Sequence, residues 1–183
     1  MTVSAITLAT PDALLLEGYA AALRAGWSPN TMRDVSADEL EAVEADGAAF
    51  LDDLNQNRGV IKLADGREVP RLPAKVFWIS DGDFCGVIGL RYRQGSDELP
   101  PYVPGHIGYS VVPWKRGRGY ATAALGALLP VAREAGLRVV TISCDSDNAA
   151  SQKVVLSNGG VLAQVLPDAE KRNVSKLVFR IEL

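Results

Sequence analysis

The sequence predicts an α+β fold with a mixed sheet, and three observations carry that prediction. Two β-rich runs, 76–79 and 84–93, meet across Ser80-Asp81-Gly82-Asp83, the turn chemistry of an antiparallel hairpin. From 106 to 165 strand and helix patterns alternate, which calls for a parallel strand pair joined by right-handed crossovers. Leu177, Phe179, Ile181 and Leu183 then alternate along a last strand. A chain of 183 residues with 48% hydrophobic content can bury one core well and hardly two, so residues 1–183 are expected to form one domain.

The elements follow in order. Ile6 to Ala9 reads as a short strand. Thr10-Pro11-Asp12 supplies an N-cap, a proline at the first helical position and an acid in the first turn, opening a helix to about Arg24. Ser36-Ala37-Asp38-Glu39 has the form of a capping box, and Leu40, Val43, Phe50, Leu51 and Leu54 recur behind it at helical spacing, to about Asn57. The stretch from Gly59 to Pro73 is turn-rich and reads equally as a hairpin around Asp65-Gly66 or as an irregular connection. Gly95 to Gly105, with three prolines, forms an exposed loop before a strand at His106 to Val112. A third helix carries Ala121, Ala124, Leu125, Leu128, Leu129 and Ala132 on one face and ends at Gly136; Pro130 inside it predicts a kink. Val139 to Cys144 is a nearly all-apolar strand. Asn148 to Ser157 is a short helix closed by Asn158-Gly159-Gly160, and Val161 to Val165 is a further strand.

Composition excludes several classes. A net charge of −3 argues against a protein built to grip nucleic acid or an anionic membrane, since both require a broad basic field. The only two cysteines, Cys85 and Cys144, lie in apolar runs, which fits a reducing cytosol and a cytoplasmic location better than a disulfide-stapled secreted domain. The longest apolar stretch near the start, Ala13 to Leu23, is broken by Glu17 and falls far short of the roughly 20 residues of a membrane span. One histidine and two separated cysteines are too few for a metal site. No Gly-Lys-Ser or Gly-Lys-Thr stands at the spacing of a nucleotide P-loop.

The chemistry concentrates in Gly105 to Leu125, where a β-like segment runs through a basic glycine turn into a helix. Gly117 and Gly119 lack a β-carbon, so the backbone from Arg116 to Ala121 can curl and aim consecutive N–H groups at one point. The positive end of the helix dipole sits there too, and Lys115, Arg116 and Arg118 add cations. A pyrophosphate is the expected guest.

Arg116, Gly117, Arg118, Gly119, Tyr120 and Ala121 resemble the signature of the GNAT superfamily of N-acetyltransferases: Arg or Gln, two residues, Gly, one residue, Gly or Ala. The preceding strand, the following helix and the run from Cys144 through Asn148 and Ser151 to Gly160 match as well, over about residues 76 to 165. Within that superfamily the wording is similar to a bacterial subgroup of predicted acetyltransferases. The resemblance implies a mostly antiparallel, twisted sheet with a splayed parallel strand pair, an α/β sandwich flanked by about four helices. It also implies acetyl-CoA as cosubstrate and a primary amine as acceptor. The N–H groups of Arg118 to Thr122, Tyr120 and Ala121 included, would hold the pyrophosphate, with Arg116 and Gly117 beside them. A bulge at Val111 and Val112 would free backbone groups for the pantetheine arm and give an oxyanion donor. Asn148 and Ser151 match positions that reach the pantetheine and the adenosine phosphate.

Proton carriers are harder to assign. The tyrosine that many GNAT enzymes use to protonate the leaving thiolate is replaced here by Val155, leaving Ser151, Tyr120 or water. His106, a residue type that ordinarily titrates near neutrality, is the candidate base, with Tyr109 its rival on the opposite strand face. Asp97 and Glu98 could serve through a water. Trp27, Trp78, Tyr92 and Tyr102 are candidate walls of the acceptor pocket, and Trp114 a shield for the cofactor. Direct attack of the amine is the main expectation, because neither cysteine has a paired histidine. A non-catalytic acyl-CoA binder of the same fold, and an RNA-contacting loop at 116–119, are the alternatives. The expected partners are acetyl-CoA and an amine, without nucleic acid or membrane, and with a homodimer left open.

Overall fold

The computed structural model describes residues 5–57, 60–62, 66–167 and 174–183. Its main sheet contains β1 (Thr7–Ala9), β4 (Ala74–Ser80), β5 (Phe84–Arg91) and β6 (Ile107–Val111), in the order β1-β4-β5-β6 and antiparallel throughout. A second sheet holds β7 (Val139–Asp145), β8 (Val161–Pro167) and β9 (Ser175–Glu182) in the order β7-β9-β8. The β9 strand inserts between β7 and β8, so these two never become neighbours and both ladders are antiparallel. A separate hairpin, β2 (Val60–Lys62) with β3 (Glu68–Pro70), resolves the ambiguity at 59–73, although Asp65 lies outside the described residues.

Helices α1 (Ala13–Arg24) and α2 (Ser36–Gln56) cover one face of the main sheet. There Tyr19, Leu23, Trp27, Trp78, Phe84 and Val112 form an apolar cluster. Tyr19 stacks on Trp78 at 4.9 Å between ring centres and meets Phe84 edge-on at 5.3 Å, each pair worth about 1 kcal/mol beyond its buried area. The opposite face carries α3 (Tyr120–Glu134) and α4 (Ala149–Leu156). Ala124, Leu125, Leu128 and Ala132 of α3 pack there with Ile79, Ile88, Leu90, Val140, Ile142 and Phe179. Among the described residues no helix is long and apolar enough to cross a membrane.

Four local expectations change. The cap of α1 is Asp12, not Thr10: its extended backbone lets the carboxylate accept from the N–H groups of Leu14 and Leu15 at 3.0 and 3.2 Å. No capping box forms at α2, because the Ser36 hydroxyl bonds Asp34 at 2.6 Å and the Glu39 carboxylate takes the Tyr19 hydroxyl. The same helix bends at Asp46, whose carboxylate caps the second half through Ala48 and Ala49 at 3.1 and 3.0 Å. Finally, α3 runs unbroken through Pro130. That residue faces solvent, while the apolar stripe opposite holds the axis against the sheet and outweighs the missing hydrogen bond.

Candidate active site

The main sheet and the second sheet touch where β6 and β7 begin. His106 donates its backbone N–H to the Thr141 carbonyl at 2.7 Å, and beyond that point no ladder joins the two strands. This is the splayed pair. On its other edge β6 is regularly paired: Leu90↔Ile107 runs to Gly86↔Val111 without a shift, and Val112 N–H reaches Cys85 O at 3.0 Å. The bulge expected at Val111 and Val112 is therefore absent, and Val112 is fully buried. Alternation of an antiparallel ladder supplies what the bulge was to provide. Because Arg91 and Val112 donate across to His106 and Cys85, the N–H groups of Tyr109 and Val111 point away from β5, into the gap. Close approach of β5 to β6 depends on Gly86, where an added Cβ would stand 2.3 Å from the Ser110 carbonyl.

Past Val112 the chain makes a single 3₁₀ turn, Pro113–Lys115, and then the glycine turn. Gly117 and Gly119 both hold left-handed torsions, with φ of 74° and 79°. Gly119 is the N-cap of α3 and no side chain caps it, so the N–H groups of Tyr120, Ala121 and Thr122 lack intrahelical partners. A Cβ at Gly117 or Gly119 would meet nothing within 4 Å, so the space in front of these amides is open. Arg118 is exposed beside it. Arg116 folds back, its Nε donating to the Val111 carbonyl at 3.0 Å and tying the turn to the open strand.

Lys115 does not face this space. Its ammonium sits on Asp81 at 2.9 and 2.8 Å, and the Tyr120 hydroxyl donates to the same carboxylate at 2.6 Å. Burial works to raise the Asp81 pKa, but these hydrogen bonds outweigh it and hold the carboxyl well below the usual range. Asp81, read from sequence only as a turn residue, thus fastens the glycine turn to the β4–β5 hairpin. Tyr120 is spent in that fastening. Trp114 is half-exposed over the same hairpin, near Leu14 and Asp83.

Across the gap, the Tyr109 hydroxyl lies 2.8 Å from Ser151 Oγ. Burial, offset by the Ser151 hydroxyl, pushes the Tyr109 phenol up to about 12, so it stays protonated at neutral pH. Asn148 accepts the Ser151 N–H at 3.0 Å and caps α4, aiming that hydroxyl at the gap. Val155 is fully buried. His106 is 1% exposed, its Nδ1 accepting the Thr141 N–H at 3.0 Å. The proton of the neutral ring is then on Nε2, and burial lowers the pKa. In that tautomer the ring offers the gap no free lone pair. Asp97 is committed to Arg138, accepting from its N–H and Nε at 2.8 and 2.9 Å, while Glu98 is exposed. Of the expected pocket walls, Trp78 is fully buried in the aromatic cluster and Trp27 is held to Ser110 Oγ at 3.0 Å. Tyr92 packs against the α3 side and Tyr102 is exposed. Among the described residues no cluster of His, Cys, Asp and Glu suits a metal ion.

A strand opened along one edge, leading into an uncapped glycine helix N-terminus, defines the acetyltransferase architecture of the GNAT type. The acetyltransferase (GNAT) domain model matches residues 21–161, and the chain belongs to that family. The match reaches well upstream of the stretch that carried the resemblance in the sequence. No curated protein matches the chain. Among solved structures, the microcin C7 self-immunity acetyltransferase MccE in complex with acetyl-CoA and AMP is similar at a TM-score of 0.63 and 19% identity, covering 97% of this chain and 92% of that one. RimL, a ribosomal L7/L12 α-N-protein acetyltransferase in complex with coenzyme A, gives 0.65 and 17%, with 100% and 96% covered. RimJ of Mycobacterium smegmatis with a CoA disulfide gives 0.65 and 18%, with 97% and 81% covered. At these identities the likeness is one of fold.

Proposed function

We propose that this chain transfers an acetyl group from acetyl-CoA to a primary amine on a small molecule, peptide or protein by direct attack. The observation that carries the reading is the uncapped N-terminus of α3 at Gly119, opening beside the gap between β6 and β7. Its free amides and helix dipole suit the coenzyme's diphosphate. The pantetheine arm would enter the gap and pair with the free backbone edge of β6. An amine attacking the thioester carbon drives charge onto the carbonyl oxygen, and the inward N–H of Tyr109 or Val111 is placed to receive it. The nitrogen gives up its extra proton to water, the carbon–sulfur bond breaks, and the paired hydroxyls of Tyr109 and Ser151 stand ready to protonate the thiolate, the phenol regaining its proton from solvent. This places on Tyr109 the role that Val155 cannot fill, while His106 holds the strand junction.

Thiol release from acetyl-CoA across amines, amino acids, polyamines and peptides tests transfer directly. Gly119→Val should reduce acetyl-CoA affinity by at least about 100-fold in calorimetry, because the side chain enters the space open for phosphate and a branched residue strains at φ 79°. Unchanged affinity would put the coenzyme elsewhere. Tight binding without any thiol release would favour the acyl-CoA binder, for which the buried Val155 is the supporting observation.

A further inference from the structure

On the α1–α2 face of the sheet, β6 presents His106, Gly108 and Ser110 in one row, and β5 presents Val87, Gly89 and Arg91 in the next. At the upper end Trp27 covers Ser110. The lower end is different, because the two glycines leave no side chains there. Arg91 lies across this floor, one terminal guanidinium nitrogen 3.0 Å from where a Cβ would stand at Gly108. Burial pushes its pKa down, and among the described residues nothing accepts a hydrogen bond from its guanidinium.

His106, beside it, is 1% exposed, and its Nε2 has no partner among the described residues. With Nδ1 accepting from Thr141, that Nε2 carries a proton and is a donor. The Arg91 N–H donates to the His106 carbonyl at 2.8 Å, so the two residues lie opposite one another and their side chains rise from the same face. Asp97, the acid whose charge also reaches the ring, is already held by Arg138. A half-buried cation and a buried N–H donor stand side by side without an acceptor among the described residues, and the buried donor is costly unless a ligand supplies one.

We propose that Arg91 and the Nε2–H of His106 together receive a carboxylate carried by the amine acceptor, which makes the acceptor a free amino acid or a close analogue. The assignment rests on the acetyl-transfer reading above. At about 3.4 Å per residue along β6, Gly108 beneath the Arg91 guanidinium stands one and three residues, and His106 three and five, from the inward N–H groups of Tyr109 and Val111. An amine and a carboxylate on one small molecule span that distance. The recognition is anionic and bidentate in kind, since a guanidinium fork matches a carboxylate while the imidazole N–H takes a remaining lone pair.

His106 is the only histidine in the chain, so its ring nitrogens report on this place without assignment ambiguity. N-acetylglycine, N-acetylserine and N-acetylglutamate, titrated beside their α-amides, should shift the Nε2 resonance saturably as acids and leave it unmoved as amides. Arg91→Gln should weaken the acids at least tenfold with acetyl-CoA affinity and unfolding midpoint unchanged, and Arg91→Lys should retain part of the binding. In turnover, free amino acids should exceed their amides at least tenfold in kcat/KM, and Arg91→Gln should erase that preference. Acids and amides behaving alike, or Arg91→Gln keeping the discrimination, would overturn the assignment. So would peptides with an N-terminal aspartate outcompeting free amino acids, which would move the carboxylate onto a side chain. Should no amine be acetylated at all, the transfer reading fails, yet the resonance titration still decides whether this pair binds a carboxylate.

Discussion

Asp81 fastens the glycine turn through Lys115 and Tyr120, although it touches none of the open amides. Its side chain is only 11% exposed and takes four hydrogen bonds, two from Lys115, one from Tyr120 and one from the Asp83 N–H. Asp81→Asn keeps the shape but removes the charge that holds Lys115, and should cost about 1–3 kcal/mol in denaturant unfolding, with weaker acetyl-CoA binding as the turn loosens. The sign with pH is fixed by the depressed folded pKa. The stabilisation is complete above the unfolded value near 3.8 and is lost as pH falls below it toward the folded value, so the gap between wild type and variant should shrink in acid. A gap that stays constant from pH 7 to pH 3 would contradict this. The partnerships with Lys115 and Tyr120 do not show in the residue string, where Asp81 is separated from them by 34 and 39 positions.

β5 and β6 were readable as strands because apolar, β-branched and turn residues alternate within a few positions of one another. What opens β6 is less local. The free amides of Tyr109 and Val111 arise from the parity of its pairing with β5 and from the divergence of β7, not from an extra residue in the strand. Gly86 sets how closely that pair can run. Gly86→Ala would drive a Cβ against the Ser110 carbonyl and the Val111 Cα, at 2.3 and 2.9 Å, and should cost about 3 kcal/mol by chemical denaturation. A neutral substitution would mean that β5 and β6 are farther apart than described. Helix ends behave similarly: Asp12 displaced Thr10 as a cap, and Ser36 turned to Asp34, because neighbouring side chains competed for the same amides.

At the scale of the molecule, the described residues form two larger antiparallel sheets joined at one backbone hydrogen bond, with the gap opening above it, and the separate β2–β3 hairpin. Among the described residues the Tyr109–Ser151 contact is the only side-chain hydrogen bond across that gap above the junction, linking the main sheet to the helix that follows β7. Tyr109→Phe should lower kcat about 100-fold with acetyl-CoA KM within about twofold, because it removes a proton source and leaves the coenzyme's grip intact. Equal turnover would hand the proton to Ser151 or to solvent. The left-handed glycine turn and the order of strands and helices were legible in the sequence because glycine torsions, capping chemistry and apolar period act over a few consecutive residues. The insertion of β9 between β7 and β8, the buried tautomer of His106, the Asp81 anchor and the lack of an acceptor for Arg91 among the described residues were decided by the tertiary structure alone. Each arises from a contact between residues far apart in the chain, and such contacts leave no periodic or compositional trace.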